Sequence, residues 1–331
     1  YYLCIRWDGA ARTHFLTWVG LVAMAHKSAF VAIVGRPNTG KSTLVNALVG
    51  EKVVITSHHP NTTRNAIRGI VTRPGFQLVV VDTPGVHKPK TLLGGALNSM
   101  VSENMDSVDS IVLCIPAVEE IGAGDLYIAK EIAQHKSSKK ICAVTMIDMA
   151  NKNNLPTQLM AAQELAKQAG FVWDDIVPLS AKTDSQVQLL IDLLAKYAPD
   201  SPPFYPADMT SDQELETQLA DLIREAAIAD VFEEVPHSIA VLIDEISERE
   251  KRNPEERPFF DIHASIIVER ESQKAIIIGN KGERLKSVGI AARSEIEKKL
   301  KGKIFLGLHV KVMPNWQSDA RALSKLGFTP Q

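Results

Sequence analysis

The sequence predicts an α/β fold, a mostly parallel sheet with helices on both faces, followed by a smaller α+β domain. Three observations lead there. Buried-type apolar strands alternate with helical patterns through residues 29–197, the mark of successive βαβ units. The first strand, residues 31–34, runs into Gly35-Arg36-Pro37-Asn38-Thr39-Gly40-Lys41-Ser42 and then an apolar-faced helix beginning near Lys41. A phosphate-binding loop thus has its strand-to-helix setting. A proline cluster, Pro199, Pro202, Pro203 and Pro206, then separates this region from a last third of different charge. At 331 residues the chain has room for two domains, each with its own core.

Before the first strand, residues 15–25 form an apolar run of eleven preceded by Arg6 and Arg12. The run superficially resembles a secretory signal. It is too short to span a bilayer, which takes about 20 residues, and a phosphate loop immediately downstream argues against export. Met24 opens a plausible start, so residues 1–23 are expected to be upstream translation or an extension, with residues 1–26 outside the fold. The three cysteines, Cys4, Cys114 and Cys142, are odd in number and without paired spacing. They read as reduced thiols, neither a disulfide frame nor a metal site.

In the phosphate loop, Gly35 and Gly40 let successive backbone N–H groups fold around a β-phosphate, and the helix N-terminus adds further donors. Lys41 reaches the β- and γ-phosphates, and Ser42, followed by Thr43, places a hydroxyl on Mg²⁺. A polar loop follows at residues 57–64, SHHPNTTR, where a γ-phosphate sensor is expected. Thr63, with Thr62 as second choice, offers a hydroxyl to Mg²⁺ and an N–H to the γ-phosphate. His58 and His59 lack a carboxylate or Cys partner at metal spacing and read as solvated. The strand at 77–81 ends in Asp82-Thr83-Pro84-Gly85. There Asp82 can hold Mg²⁺, directly or through water, and Gly85 lets its N–H approach the γ-phosphate. Lys41, Thr63, Asp82 and Gly85 are therefore the expected catalytic set. The next residue, Val86, has an apolar side chain that cannot orient water.

Strands are expected at 110–115 and 141–145, the second leading into Thr145-Met146-Ile147-Asp148. A carboxylate at Asp148 would accept from guanine N1–H and N2–H₂, which adenine lacks, so it is the base-selecting residue. The strand at 177–179 leads into Ser180-Ala181-Lys182, whose backbone can contact the guanine O6. Ligand is expected at the carboxyl ends of the strands.

The order GRPNTGKS, TTR, DTPG, xxxD and SAK resembles the translation-factor-related bacterial GTPases and, within them, the Era/TrmE-like GTPase family, over about residues 27–328. The resemblance implies a GTPase that uses GTP/GDP and Mg²⁺ and acts in assembly of the small ribosomal subunit. It further implies that Asn38 ligates K⁺ to assist hydrolysis beside the apolar Val86. It also implies binding to the 3′ region of 16S rRNA by a cytoplasmic monomer, and it allows a peripheral contact at the inner face of the cell membrane. One motif departs from the family's Asn-Lys-x-Asp. Thr145 can replace part of the Asn bonding, and Met146 can pack over the base without the Lys charge. The alternative reading is an RNA-binding scaffold with a weakened nucleotide site.

Beyond the prolines, where few contacts are expected to cross, Ser211 and Glu214 have capping-box spacing ahead of a helix to about Ala229. Strands are expected at 237–246, 260–269 and 303–312. Between the last two, Gly279-Asn280-Lys281-Gly282 joins a short apolar segment to a longer helix with Leu285, Val288, Ala292, Ile296 and Leu300 at helical spacing. This resembles the GXXG loop of a type II KH domain, in which glycines admit a sugar-phosphate backbone beside an apolar groove for unstacked bases. Residues 205–261 hold 5 Lys and Arg against 16 Asp and Glu, whereas 262–331 hold 13 against 6. Lys274, Lys281, Arg284 and Lys286 cluster about the loop and would attract phosphate in a salt-sensitive way. The expected organisation is an extension at 1–26, a GTPase domain at 27–198, a linker at 199–207 and a KH domain at 208–331.

Overall fold

Continuous apolar runs build the first sheet. In the computed structural model, which describes residues 26–56, 67–82, 108–151, 154–229, 231, 238–249 and 257–326, β1 (Lys27–Val34), β4 (Ser110–Pro116) and β5 (Lys139–Thr145) are buried almost end to end. Parallel strands covered on both faces require this. With β2 (Ile67–Arg73), β3 (Phe76–Asp82) and β6 (Asp175–Pro178) they form one sheet in the order β2-β3-β1-β4-β5-β6. Neighbours pair in parallel except β2 with β3.

Helices α1 (Lys41–Val49) and α4 (Val187–Tyr197) cover one face, packing Leu44, Leu48, Leu190 and Leu194 with Ile33, Val80 and Val112. The buried positions of α4, Val187, Leu190, Ile191 and Leu194, recur one helical turn apart. Helices α2 (Ala123–Gln134) and α3 (Leu155–Ala169) cover the other face through Ile128, Ile132 and Leu165. Because β1 lies between β3 and β4, the chain reverses its winding there, and a crevice opens at the carboxyl end of β1.

The antiparallel β2 goes beyond the strands expected from the sequence. Its signal was the dipeptide Pro74-Gly75: Gly75, at φ +88°, takes the second central position of a tight turn with Pro74 at the first.

The second domain contains α5 (Leu215–Ile228), β7 (Ala240–Glu248), β8 (Phe259–Val268), α6 (Glu271–Ile278), a 3₁₀ turn (Asn280–Gly282), α7 (Glu283–Leu300) and β9 (Lys303–Val312), followed by α8 (Ala320–Lys325). Its sheet has the order β7-β8-β9, antiparallel then parallel. This is the α-β-β-α-α-β plan expected of a type II KH domain. Leu219 and Ile223 of α5 pack with Val288, Ala292 and Ile296 of α7 and with Ile262, Ala264 and Ile266 of β8. A satellite core forms around the fully buried Trp316, whose indole N–H donates to the Ser238 carbonyl at 3.1 Å.

Two local expectations are corrected. No capping box forms at Ser211 and Glu214: α5 starts at Leu215 without a side-chain cap, because the Ser211 backbone instead bridges to Gly69 on the edge of β2. The proline segment is also not a sparsely contacting spacer. The Pro199 carbonyl accepts from Ser28 N–H at 3.1 Å, the Thr210 carbonyl accepts from Ile70 N–H at 2.9 Å, and Phe204 stacks on Phe30 with centroids 4.8 Å apart. The buried Gln77 side chain accepts from Phe204 N–H at 2.8 Å and donates to the Tyr205 carbonyl at 2.9 Å. Edge backbone and a buried amide need partners, and the segment supplies them.

Candidate functional site

The crevice gathers most of the predicted nucleotide residues. Gly35, Asn38 and Gly40 lie between β1 and α1, Lys41, Ser42 and Thr43 open α1, Asp82 ends β3, Thr145 ends β5 with Met146 to Asp148 following it, and Ser180 to Lys182 follow β6. Thr62, Thr63, Gly85, Val86, His58 and His59 lie outside the described residues.

The phosphate loop takes its shape from steric necessity. A Cβ at Gly35 would stand 2.8 Å from Thr39 Oγ1 and 2.9 Å from the Cys114 carbonyl oxygen, at φ +153°. Asn38 and Gly40 occupy the left-handed region at φ 63° and 85°. Thr39 Oγ1 donates to the Arg36 carbonyl at 3.0 Å, and Lys41 Nζ donates to the same carbonyl at 2.6 Å. Burial pushes the Lys41 ammonium below the ordinary lysine pKa, an effect that neighbouring Asp82 partly offsets. Under the loop, burial pushes the Cys114 thiol up to about 12, which leaves it an uncharged packing group.

Ser42 Oγ donates to Asp82 Oδ2 at 2.9 Å, and Asp82 is fully buried. One carboxylate and one hydroxyl, both hard oxygen donors, fit Mg²⁺, which binds through one or two carboxylates plus substrate phosphates rather than an all-protein cage.

The altered base motif keeps a brace. Thr145 Oγ1 donates to the Thr39 carbonyl of the phosphate loop at 2.8 Å, and both residues are buried. Asp148 is exposed, and its Oδ1 accepts from Ser180 Oγ at 2.6 Å, while Ser180 Oγ in turn accepts from Thr183 N–H at 3.2 Å. Met146, at φ 60°, places its methyl 3.5 Å from where a Gly40 Cβ would be. Thr145→Val keeps the branched shape but strands the buried Thr39 carbonyl, at about 1–3 kcal/mol. Urea unfolding of the nucleotide-free protein should show a stability loss near the low end of that cost.

Residue-by-residue reading overlooked two supports. Arg36 donates from Nε to the fully buried Asp125 at 2.8 Å and from Nη2 to Glu119 at 2.9 Å, pinning the phosphate loop to α2 from 89 residues away. No local pattern announces such a pair. Asn46 of α1 donates to the Val54 carbonyl at 2.7 Å and accepts from Val53 and Val54 N–H at 2.9 Å each. It thereby holds the segment leading away from α1. That segment meets the second domain: Lys52 lies 2.6 Å from Glu225 and 3.6 Å from Glu295, Lys299 lies 3.6 Å from Glu51, and Thr56 donates from N and Oγ1 to Glu225 at 3.2 Å. Half-exposed pairs contribute about 0–1 kcal/mol each, so they orient the domains and exchange readily.

In the second domain, Gly279 (φ +72°) and Gly282 (φ +81°) bracket Asn280 and Lys281. A Cβ at Gly279 would lie 2.6 Å from Arg284 Cβ, so the loop closes tightly onto α7. Lys281 and Lys286 are exposed, whereas Arg284 is half-buried, with Nε shielded from solvent. Lys274 sits half-buried on α6. A groove of about 680 Å³ runs from Gly282 and Lys286 past Gly289 and Ile290 to Arg293, Arg249 and Phe259, with Phe305 of β9 on its wall. The groove's far half was missed because its residues come from two strands, a helix and the residue that follows β7.

The fold and these two sites define a P-loop nucleotide-binding protein carrying a KH domain. Accordingly, residues 30–152 match the family model described as 50S ribosome-binding GTPase, and residues 234–317 match the KH domain. GTPase Era of Streptomyces coelicolor is 50% identical over 303 residues, covering 92% of this chain and 95% of that protein. GTPase Era of Mycobacterium tuberculosis is 51% identical over 303 residues, covering 91% and 98%. The chain belongs to the Era family of GTPases. Among solved structures, Era in complex with MgGDPNP and nucleotides 1506–1542 of 16S ribosomal RNA is 35% identical at a TM-score of 0.84, covering 92% of this chain and 99% of that one. An Aquifex aeolicus Era variant bound to GDP·AlF₄⁻ matches equally, at 35% identity, the same coverage and a TM-score of 0.84.

Proposed function

We propose that this protein hydrolyses GTP and uses the nucleotide state to control binding of 16S rRNA during assembly of the small ribosomal subunit. In this reading Ser42, Asp82 and Thr63 would hold Mg²⁺, which when bound neutralises charge developing on the phosphate oxygens. Lys41, Gly35, Gly40 and Gly85 bind the phosphates, and Asp148 with Ser180, Ala181 and Lys182 binds guanine. Asn38 would hold K⁺. Lys281, Lys286, Lys274, Arg284 and the glycines about Asn280 meet the RNA backbone.

The working domain limits are 27–198 for the GTPase domain, 199–207 for the linker and 208–331 for the KH domain. The protein acts as a cytoplasmic monomer. No helix among the described residues is long and apolar enough to cross a membrane, and the contact with the inner face of the cell membrane allowed by the family resemblance is read as peripheral.

One observation carries the coupling: a hydrogen-bonded and ionic path from α1 through Asn46, residues 52–56 and Glu225 to the helices of the KH domain. Binding of nucleotides 1506–1542 of 16S rRNA is measured with GTP-analogue and with GDP. The affinities should differ about tenfold, within the usual range of coupling free energies, and Glu225→Ala should shrink that ratio towards one. Equal affinities in the unaltered protein refute the coupling.

A further inference from the structure

We propose that Arg249 is a base-stacking platform at the end of the groove remote from the GXXG turn, receiving one unpaired nucleobase of a single-stranded RNA. This rests on the RNA-binding reading above and adds to it a specific subsite.

The platform is built before any ligand arrives. Arg249 directly follows β7, and its N–H donates to the Phe259 carbonyl at 2.9 Å, which closes the β7–β8 ladder. Its guanidinium lies over the Phe259 ring, 4.2 Å from the centroid. Asp261 takes two hydrogen bonds from it, from Nε at 2.5 Å and Nη2 at 2.6 Å. A two-point carboxylate and a phenyl face together fix both the position and the plane of the group. The side chain nevertheless remains 55% exposed, and it lines the groove with Arg293, Ile290 and Phe305.

Charge pairing decides what this surface would bind. Asp261 already neutralises the guanidinium, so Arg249 is poorly suited to a phosphate and well suited to a flat partner. A guanidinium is planar and weakly hydrated and stacks on π systems, and unstacked bases in RNA complexes are taken up on Arg planes and aromatic rings. Location points the same way. From Gly282 to Arg293 α7 advances about 16 Å at 1.5 Å per residue, room for the few nucleotides that a GXXG loop clamps. Phe305, 47% exposed, pairs in register with Asp261 and gives the same end an aromatic wall.

The test uses the full chain and fluorescently labelled nucleotides 1506–1542 of 16S rRNA, with each nucleotide in turn replaced by an abasic unit. One abasic position should weaken binding about tenfold, the scale of a single base stacked on a protein surface. Arg249→Ala should weaken the intact RNA by a similar factor and remove the sensitivity at that position alone. Arg249→Lys should behave like Arg249→Ala, since a lysine keeps charge but has no plane. The salt dependence should be unchanged in Arg249→Ala but shallower by about one counterion in Lys286→Ala. The thermal midpoint of each variant checks its fold.

Unaltered affinity in Arg249→Ala, equal loss at every abasic position, or rescue by lysine would overturn the platform while leaving RNA binding intact. If the unaltered protein fails to bind this RNA, the RNA-binding reading falls and the platform with it.

Discussion

Asp148→Asn should convert a guanine site into a xanthine site, lowering affinity for GTP about 10³-fold and raising affinity for XTP by a comparable factor. The direction follows from Ser180. Its hydroxyl accepts from Thr183 N–H and donates to Asp148 Oδ1. An asparagine must therefore turn its carbonyl oxygen towards Ser180, which leaves its NH₂ where the second carboxylate oxygen was. Guanine presents N1–H and N2–H₂ to that position, so the variant opposes donor with donor, whereas xanthine offers a carbonyl at the 2-position. Discrimination of this size comes from leaving a polar group unpaired rather than from a changed fit. Competition of GTP, GDP, XTP and ATP against a fluorescent guanine nucleotide measures it. A variant that still prefers GTP would remove Asp148 from the base site.

The same motif marks where the sequence was informative and where it was not. Strand-to-helix glycines, the Asp82 strand end and the Gly279–Gly282 loop were all legible, because backbone chemistry demands those residue types within a few positions of one another. The replacement of the family's Asn by Thr145 suggested a weakened site, and only the three-dimensional arrangement reveals the compensation: a 2.8 Å bond from Thr145 to the Thr39 carbonyl, 106 residues apart. That brace answers the part of the scaffold reading that rested on Thr145, while Met146 still lacks the charge of the family's Lys.

Long-range pairing also explains the other differences. Arg36 with Asp125, Gln77 with the proline segment, and Glu225 with Lys52 and Thr56 each satisfy a buried or half-buried polar group from a distant part of the chain. Ser211 reads locally as part of a cap, but an available strand edge at Gly69 draws its backbone away. Local propensity sets elements, and the unsatisfied backbone of a neighbouring element decides their ends.

Lys41→Ala should lower GTP turnover about 10³-fold, the scale of losing one preorganised donor at developing charge, raised by the full charge of an ammonium. Its setting explains why a substitute does not serve. Lys41 is 7% exposed, and its Nζ rests on the Arg36 carbonyl, an acceptor positioned by the Arg36–Asp125 and Thr39 bonds. A compact ammonium on a flexible stem can exchange that carbonyl for phosphate oxygens within the loop. Arginine carries a wider, rigid fork, so Lys41→Arg should recover little activity.

Burial holds the Lys41 pKa below 10.5, with Asp82 offsetting part of the effect. The charged form is therefore lost at a lower pH than in an ordinary lysine. Nucleotide affinity of the unaltered protein should accordingly decline as pH rises towards 10.5, starting below that value, because only the protonated side chain attracts phosphate. In Lys41→Ala the part of this limb that precedes ionisation of the guanine N1–H should vanish, leaving weak binding that falls only once the base itself loses its proton to solution. A variant whose affinity began to fall at the same pH as the unaltered protein would show that Lys41 is not the group that titrates, and a control with a nucleotide whose base does not ionise in this range separates the base from the side chain.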